Sequence, residues 1–509
     1  MSSSMTRRDL LNRSAQVGLL AGAGDFAFLN NLPAVADEPA RRIVRLQEDI
    51  EPLVRLIEDT PRERLLPVAA ERVRGGTSYQ ELISAVMLAG VRGIQPRPVG
   101  FKFHAVLVIN SAHLAGQAAT DRDRWLPLFW ALDNFKVSQE RNRREGDWRM
   151  RPVDESRLPT AAQARRRFID AMDRWDEEGA DLAVAALARS AGGNEIAELF
   201  FRYGCRDFRD IGHKAIYVAN SWRTLQTMGL RHAEPIFRSL AYALLERERQ
   251  NNPAENDYAA DRPYRENLRR VPRIRAGWQR GRISRDASAD LLATMRGATP
   301  DDASERVVGM LNDGIDPASI WDGLFLTAGE LLMRRPGIVG LHCVTTVNAL
   351  HYAFQASGND ETRRMLMLQG AAFLTMFRGM LFPNGGLTAD MRLDHLQSVA
   401  PRGEGAAVVE EIFADVSRDR MAAARKTLAW LDANPGNAHA LLAAARRLIF
   451  SRGTNSHDYK FSAAVLEDFF HTTPAWRKRF LATGMFNLTG AGGRETELCR
   501  RTRELLATS

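Results

Sequence analysis

The chain of 509 residues is long enough to bury a large core, and its 45% content of apolar residues is typical of a globular protein. Its formal charge of +8 is spread among interspersed acidic residues rather than gathered in a basic patch, which argues against a nucleic-acid partner. Its three cysteines, Cys205, Cys343 and Cys499, are too few and too scattered for a disulfide framework or a cysteine-based zinc site.

The first 36 residues have the pattern of a twin-arginine export signal. Arg7 and Arg8 precede a weakly apolar stretch from Val17 to Phe28, and Ala34-Val35-Ala36 supplies a small-residue cleavage site. The apolar stretch is shorter than the roughly 20 residues that a membrane-spanning helix needs, and no later segment reads as transmembrane. The sequence therefore predicts a periplasmic or otherwise extracytoplasmic protein that the twin-arginine translocase exports.

The rest of the chain is predicted to be helical, because Ala, Leu, Arg and Glu dominate and β-branched runs are short. Residues 37–76 are expected to form an N-terminal helical arm that Pro61 interrupts, and Ser78 is the expected N-cap of the next helix. A first helical half at 77–245, a polar linker or covering segment at 246–310 and a second helical half at 311–509 complete the predicted organisation.

Two stretches of sequence indicate that the two halves are duplicates. FHAVLVINSAHL and GLHCVTTVNALHYAF lie 238 residues apart and share the pattern His-x5-Asn-x2-His. The residues of this pattern are His104, Asn110 and His113 in the first copy and His342, Asn348 and His351 in the second. Ten histidines in the whole chain give no reason to expect two such matches by chance, so we predict an all-α, multihelical globular domain with pseudo-twofold symmetry.

A second pair of histidine stretches fits nearly the same offset. IGHKAIYVANSW carries His213, Lys214 and Asn220, and NSHDYKFSAAVL carries His457 and Lys460, 244 residues later. We therefore expect four histidine-bearing helices to face a shared interior. On an ideal helix, residues nine positions apart point in opposite directions, so the two histidines of one copy cannot both face a small site unless the helix is kinked or the first histidine precedes it.

These repeat-related residues supply the candidate site. We expect His104 and His342 to be polarising or general acid–base groups oriented by Asn110 and Asn348, because an imidazole near its ordinary pKa moves protons at neutral pH. A lysine beside them can stabilise a developing oxyanion. The remaining catalytic candidates are His213, Lys214, His457 and Lys460. The remaining orienting or substrate-binding candidates are His113, Asn220 and His351.

A metal site is an open alternative, because neutral imidazole is a common ligand of transition metals. Its candidate ligands are His104, His213, His342 and His457, although no H-E-x-x-H motif and no E-x-x-H pair accompanies them. A purely structural role is also open, in which buried imidazoles and amides join the two halves by hydrogen bonds. No P-loop, no G-x-S-x-G elbow and no G-x-G-x-x-G after a strand is present, so the sequence contains no recognisable nucleotide site.

Two runs of residues resemble the questin oxidase-like proteins. They are His342-Cys343-Val344-Thr345 and the stretch from His457 through Lys460 and Phe461, and the resemblance extends from about Ser78 to Trp476. It implies an all-helical, monooxygenase-like oxidoreductase, whose namesake inserts oxygen into an anthraquinone ring with reduced nicotinamide and without an obvious flavin fold. The export signal, the arginine-rich linker and the second histidine of each copy depart from the family pattern, and export removes the chain from the cytoplasmic supply of reduced nicotinamide.

We therefore hypothesise an exported, all-α oxidoreductase that acts on an aromatic or quinone-like small molecule in a cavity lined by the duplicated histidines. Two alternatives remain. One is a histidine-ligated metal-binding protein, and the other is a helical scaffold without enzymatic activity.

Overall fold

The structure is a computed structural model that describes residues 43–247, 251–384, 386–388, 391–436 and 438–507. Apart from one isolated parallel bridge between Arg282 and Ile315, these residues form no β-structure, and the predicted all-α, multihelical class is confirmed. The predicted export signal at 1–36 lies outside the described residues. None of the helices that the structure describes is both long and apolar enough to cross a membrane.

The N-terminal arm divides into two helices at Pro61, as its sequence predicts, because proline has no N–H for the first helix and its fixed φ suits the start of the second. The second helix tolerates a further proline, Pro67, in its interior. Ser78 then begins the third helix with a capping box, in which Ser78 and Glu81 satisfy each other's main-chain N–H groups. The helices of this part are α1 (Glu51–Asp59), α2 (Arg62–Arg74), α3 (Tyr79–Gly93), α4 (His104–Leu107), α5 (Ile109–Gln117) and α6 (Leu126–Arg144).

Five further helices complete the region predicted as the first half. Amphipathic patterns place their apolar faces on the core, as in the helix that buries Phe168 and Met172. They are α7 (Ala161–Arg174), α8 (Glu177–Ser190), α9 (Gly193–Gly204), α10 (His213–Met228) and α11 (Ala233–Leu244).

The segment predicted as a linker, residues 246–310, holds two complete helices and most of a third. Thr299 begins the last of them with a capping box to Asp302, and this helix packs on the long helix α17 defined below. The helices are α12 (Arg262–Arg270), α13 (Arg285–Met295) and α14 (Pro300–Asn312). Much of the predicted linker is therefore helical and belongs to the packed domain, so it does not merely connect two halves.

The remaining helices belong to the region predicted as the second half. They are α15 (Pro317–Arg334), α16 (Ile338–Ala356), α17 (Asp360–Leu381), α18 (Ala406–Val416), α19 (Arg420–Ala433), α20 (His439–Arg452), α21 (Ser456–His471), α22 (Pro474–Gly484) and α23 (Glu497–Ala507). One hydrophobic cluster runs from Ile50 to Leu488, so the two predicted halves share a core. Their origin by duplication stays a prediction from the sequence spacing.

Four elements form a closed ring in the centre of this core. The α4–α5 segment and α16 both pack against α10, and α5 and α16 both pack against α21. Every residue of α16 from Gly340 to Phe354 except Tyr352 is buried, which places this helix in the middle of the protein. The ring brings together the four histidine stretches that are far apart in the sequence.

Candidate metal centre

Four imidazoles, one from each element of the ring, meet in one cluster. Their ligand atoms all lie within 4.8 Å of one another, and we call His104, His213, His342 and His457 the histidine cluster. The Nε2 atom of His213 lies 3.0 Å from Nε2 of His104 and 2.9 Å from Nε2 of His342. The His457 ring lies beside these, with its centroid 4.5 Å from that of His104.

The position of each histidine in its helix explains this convergence. His104 and His213 are the first residues of α4 and α10, and His457 is the second residue of α21. Side chains on a helix lean toward its N-terminus, so a residue in the first turn projects beyond the helix end. His342 lies one turn into α16 and reaches the same point from the side.

Main-chain carbonyls fix the orientation of three of the rings. The Nδ1 atoms of His104, His213 and His342 lie 2.8, 2.7 and 2.6 Å from the carbonyl oxygens of Phe101, Asp210 and Ile338, respectively. A carbonyl oxygen can only accept a hydrogen bond, so we assign the proton of each ring to Nδ1. Each Nε2 then carries a lone pair, and the three lone pairs point at one another.

Unusual backbone conformations supply two of these carbonyls. Phe101 and Asp210 have positive φ angles of 44° and 53°, and Ile211 has one of 47°. For residues other than glycine, this left-handed conformation costs roughly 1–2 kcal/mol each, and such strain concentrates at functional sites. The fold therefore accepts local strain to aim the acceptors of His104 and His213.

The site favours neutral imidazoles. Burial is the largest cause that lowers the pKa of each histidine in the cluster, and the positive charge of nearby Lys460 lowers all four further. The pKa of His457 falls to about 4, and those of the other three also fall well below their ordinary value. Neutral imidazole is the form that binds a metal ion.

Lys460 is an unusual neighbour for this cluster. Its Nζ is buried and has no hydrogen-bond partner among the residues that the structure describes. Burial lowers the pKa of Lys460 to about 7, because an ammonium ion without a partner is costly away from water. The side chain is therefore close to an even balance of amine and ammonium at neutral pH.

The spacing of the Nε2 atoms fits ligands of one metal ion. With metal–nitrogen bonds of about 2.0–2.1 Å, neighbouring ligand atoms lie ~2.9 Å apart at right angles and ~3.4 Å apart in a tetrahedron. The Nε2 atoms of His104 and His342 lie 3.0 and 2.9 Å from that of His213, which matches ligands at right angles. Metal-binding histidines also usually donate their other ring N–H to a carbonyl or carboxylate, as three of these do.

Lys214 and Asn220 do not join the histidine cluster, which corrects their assignment from the sequence. The Nζ of Lys214 donates to Asp207 Oδ2 at 2.9 Å and to two main-chain carbonyls, so it anchors a separate buried ion pair. The adjacent position on a helix points about 100° away from His213, which explains this. Asn220 donates to the carbonyl of Leu107 at 2.8 Å and thereby ties α10 to α4.

His113 and His351 also lie outside the cluster, because nine residues of helix turn them away from His104 and His342. His113 is within 3.4 Å of the Tyr79 hydroxyl. His351 is packed among aromatic rings, with its centroid 4.8 Å from that of Trp321. Neither residue orients the predicted acid–base groups.

The predicted orienting asparagines lie on the far side of Lys460. The amide of Asn348 donates to Glu467 Oε2 at 2.7 Å and to Asp468 Oδ1 at 2.9 Å, instead of contacting an imidazole. Asn110 and Asn348 both line a small polar cavity of about 10 Å³ that Lys460 also lines. This volume has room for about one water molecule.

Sequence reasoning missed a group of charged residues at this small cavity. Arg223 pairs with Glu467 at 2.5 Å and donates to the amide oxygens of Asn220 and Asn348. Burial raises the pKa of Asp468 well above its ordinary range, and the nearby Glu467 adds to this. The helical spacing of Arg223 three residues after Asn220 could have indicated the shared face.

Comparison with known proteins adds no family to these observations. No protein-family model matches the chain, and no curated protein and no solved structure is significantly similar to it. The geometry of the site's own residues therefore indicates its chemistry.

Proposed function

We propose that the histidine cluster binds a single transition-metal ion, and that the protein is a metal-dependent oxidoreductase for aromatic or quinone-like molecules. The observation that carries this proposal is the convergence of three Nε2 lone pairs, in which the Nε2 atoms of His104 and His342 lie 3.0 and 2.9 Å from that of His213. A buried acceptor without a donor costs about 1–3 kcal/mol, so the cluster is unfavourable unless a cation fills it.

A proton is a poor candidate for that cation. A shared proton can bridge two Nε2 atoms, but the third lone pair then stays without a partner. Burial and the neighbouring Lys460 also lower the pKa of every imidazole in the cluster, so none gains a proton at neutral pH. A metal ion satisfies all the lone pairs at once, and imidazole ligands suit iron, copper, nickel and zinc.

Redox chemistry with dioxygen is the role that we propose for the centre. Bound iron or copper would supply electron transfer to dioxygen. The resemblance of the histidine and lysine runs to questin oxidase-like proteins supports an aromatic substrate. Reduced nicotinamide is not required by this proposal, because a hydroquinone substrate would itself provide two electrons and two protons. These would reduce dioxygen to hydrogen peroxide as the hydroquinone becomes a quinone. We also propose export by the twin-arginine route, on the pattern of the first 36 residues.

The protein's own residues would bind, orient and move protons in this reaction. The three carbonyl acceptors hold the rings so that Nε2 faces the ion. Lys460 has a pKa of about 7, and a group with that pKa exchanges protons efficiently at neutral pH. We assign Lys460 the transfer of a proton to or from substrate oxygen.

A structural or storage site for zinc is the second candidate. Four protein ligands fill a tetrahedral zinc site completely, which is the pattern of structural zinc, whereas catalytic zinc keeps a position open. If the site has this role, we expect the protein to bind zinc tightly and to consume no dioxygen.

Elemental analysis of the mature protein, purified after export, tests the proposal. We expect stoichiometric iron or copper in the wild type, loss of that metal in His342→Ala, and retention in His351→Ala, which removes an imidazole outside the cluster. Dioxygen uptake with hydroquinones should follow metal content. Stoichiometric zinc without uptake would favour the second candidate, and protein that binds no metal would refute both.

A further inference from the structure

A pocket of about 430 Å³ opens between α5, α20 and α21, and no residue of the histidine cluster lines it. We propose that this pocket, which we call the α20–α21 pocket, binds the substrate, and that the substrate is an aromatic molecule with an anionic oxygen, as a carboxylate or phenolate. The substrate role rests on the proposed function, whereas the binding itself does not.

The walls of the α20–α21 pocket suit an aromatic body. Leu114, Ile449 and Leu466 line it together with several alanines, and Phe470 lies at its rim with 47% of its surface exposed. Pockets for small molecules typically have volumes of about 300–1,000 Å³ and apolar walls with a few polar groups. The pocket can therefore enclose a molecule of two or three fused rings.

Arg446 provides the charge that an anionic ligand would need. Its side chain lines the pocket and is partly buried, and no carboxylate of the described chain pairs with it. A guanidinium in this position binds a planar anion through two parallel hydrogen bonds. The neighbouring Arg447 is exposed and does not line the pocket, so it offers a matched control.

The contrast with a second cleft strengthens this reading of Arg446. That cleft, of about 810 Å³, is also lined by arginines, but Arg262 and Arg265 both pair with Asp257. The arginines there have partners within the protein. Arg446 has no acidic partner among the described residues, and an anionic ligand would supply one.

Tyr459 forms part of the wall of the α20–α21 pocket. Its hydroxyl is buried without a hydrogen-bond partner in the described part of the chain, although the residue lines the pocket wall. The ring stacks on Trp130 with a centroid distance of 4.1 Å, which holds the hydroxyl in place. The hydroxyl is closed off from solvent, so Tyr459 forms part of the pocket wall and does not donate to the ligand.

The α20–α21 pocket adjoins the surroundings of the histidine cluster. It shares Ser111, Leu114, Ala463 and Glu467 with the small polar cavity, and that cavity is also lined by Lys460. Lys460 and His457 lie three residues apart on α21 and share a face of that helix. A ligand in the pocket would therefore lie next to the cavity that leads to the proposed proton carrier.

Direct binding measurements test this inference with 2-naphthoate as the probe and neutral 2-naphthamide as its control. On full-length protein, calorimetry should show naphthoate binding at least about tenfold more tightly than the amide, because a charge-assisted pair is lost with the amide. Arg446→Gln should weaken naphthoate binding by a similar factor, and Arg447→Gln should leave it unchanged. Arg446→Lys should retain part of the affinity.

Equal binding of the two probes, or unchanged binding in Arg446→Gln, would overturn the inference. Circular dichroism of each variant separates a lost contact from a lost fold. 2-Naphthol, tested at pH values on both sides of its ionisation, shows whether a phenolate also fits. Metal content is measured on the same samples. Naphthoate binding by protein that holds no metal would support the binding site and contradict the proposed metal-dependent function. Bound metal without naphthoate binding would support the proposed function and contradict the binding site.

Discussion

Among the described residues, no carboxylate pairs with the four imidazoles, so a divalent ion among them would keep its full positive charge in a buried site. Lys460 must then be a neutral amine, because two positive charges close together in the interior repel strongly. Its pKa of about 7 in the absence of metal already allows this. The lone Nζ is thus better suited to carrying a proton than to forming an ion pair.

A comparison of two buried lysines tests the proton-transfer role of Lys460. Lys460 lacks a hydrogen-bond partner among the described residues, whereas Lys214 pairs with Asp207. Lys460→Met should keep the fold and the bound metal, because the amine has no partner to lose, yet lower turnover about 100-fold or more by removing general acid–base catalysis. Lys214→Met should instead lower the free energy of unfolding by about 1–3 kcal/mol, because it removes one of the two cations that pair with the buried Asp207 and leaves only Arg209, at 3.4 Å. Chemical denaturation and turnover measure the two effects. A Lys460→Met variant with wild-type turnover would contradict the catalytic role.

The lowered pKa of His457 predicts how acid affects the metal-free protein. The group has a pKa of about 4 when folded against an ordinary 6.5, so below pH 6.5 the unfolded chain binds a proton that the folded chain does not. The contribution of His457 to stability is therefore fully present above pH 6.5 and is lost as the pH drops toward 4. His457→Gln should make this fall shallower by up to about 1.4 kcal/mol per pH unit, as urea denaturation at several pH values would show. Parallel curves for the two proteins would contradict the prediction.

At the scale of the helix, sequence spacing predicted which elements would meet but not every side chain that faces the site. The offset between copies led to the expectation of four histidine-bearing helices around one interior, and the structure brings those four rings together. Lys460 lies near the cluster because it follows His457 by three residues, whereas Lys214 points away from it because it follows His213 directly. The lone arginine of the α20–α21 pocket could not be predicted, since its lack of a partner depends on the packing of distant segments.

The tight turn before α10 gives a test at the same scale. Gly212 has a φ of 80°, and an added Cβ would lie 2.2 Å from Thr346 Oγ1, so Gly212→Ala must displace either the turn or α16. Because the turn carries the carbonyl that orients His213, we expect lower metal affinity. Gly229→Ala at the other end of α10 also has a positive φ, of 96°, but meets no neighbouring atom. Metal titrations of both variants measure the effect. An equal loss of metal affinity in the two variants would show that backbone strain alone, and not the contact with Thr346, explains it.

For the whole molecule, the ring of helices means that one ion would connect segments from residue 104 to residue 457. Binding to the folded chain alone stabilises it in proportion to the logarithm of the metal concentration over Kd. We therefore expect a chelator to lower Tm reversibly in the wild type and to have no effect on His342→Ala. Calorimetry of both proteins measures this. A wild-type Tm that does not respond to chelation or to added metal would exclude a metal that ties the ring together.

Export in the folded state would let such a centre acquire its metal before it leaves the cytoplasm, since the twin-arginine route carries folded proteins. Replacing Arg7 and Arg8 with lysine should leave the precursor in the cytoplasm, because the translocase reads that pair. The same change at Arg41 and Arg42, which follow the predicted cleavage site, conserves charge in the same way and should leave export intact. Cell fractionation and the mass of the mature N-terminus measure both outcomes. Normal processing of the Arg7 and Arg8 variant would mean that the chain reaches its compartment, and its metal, by another route.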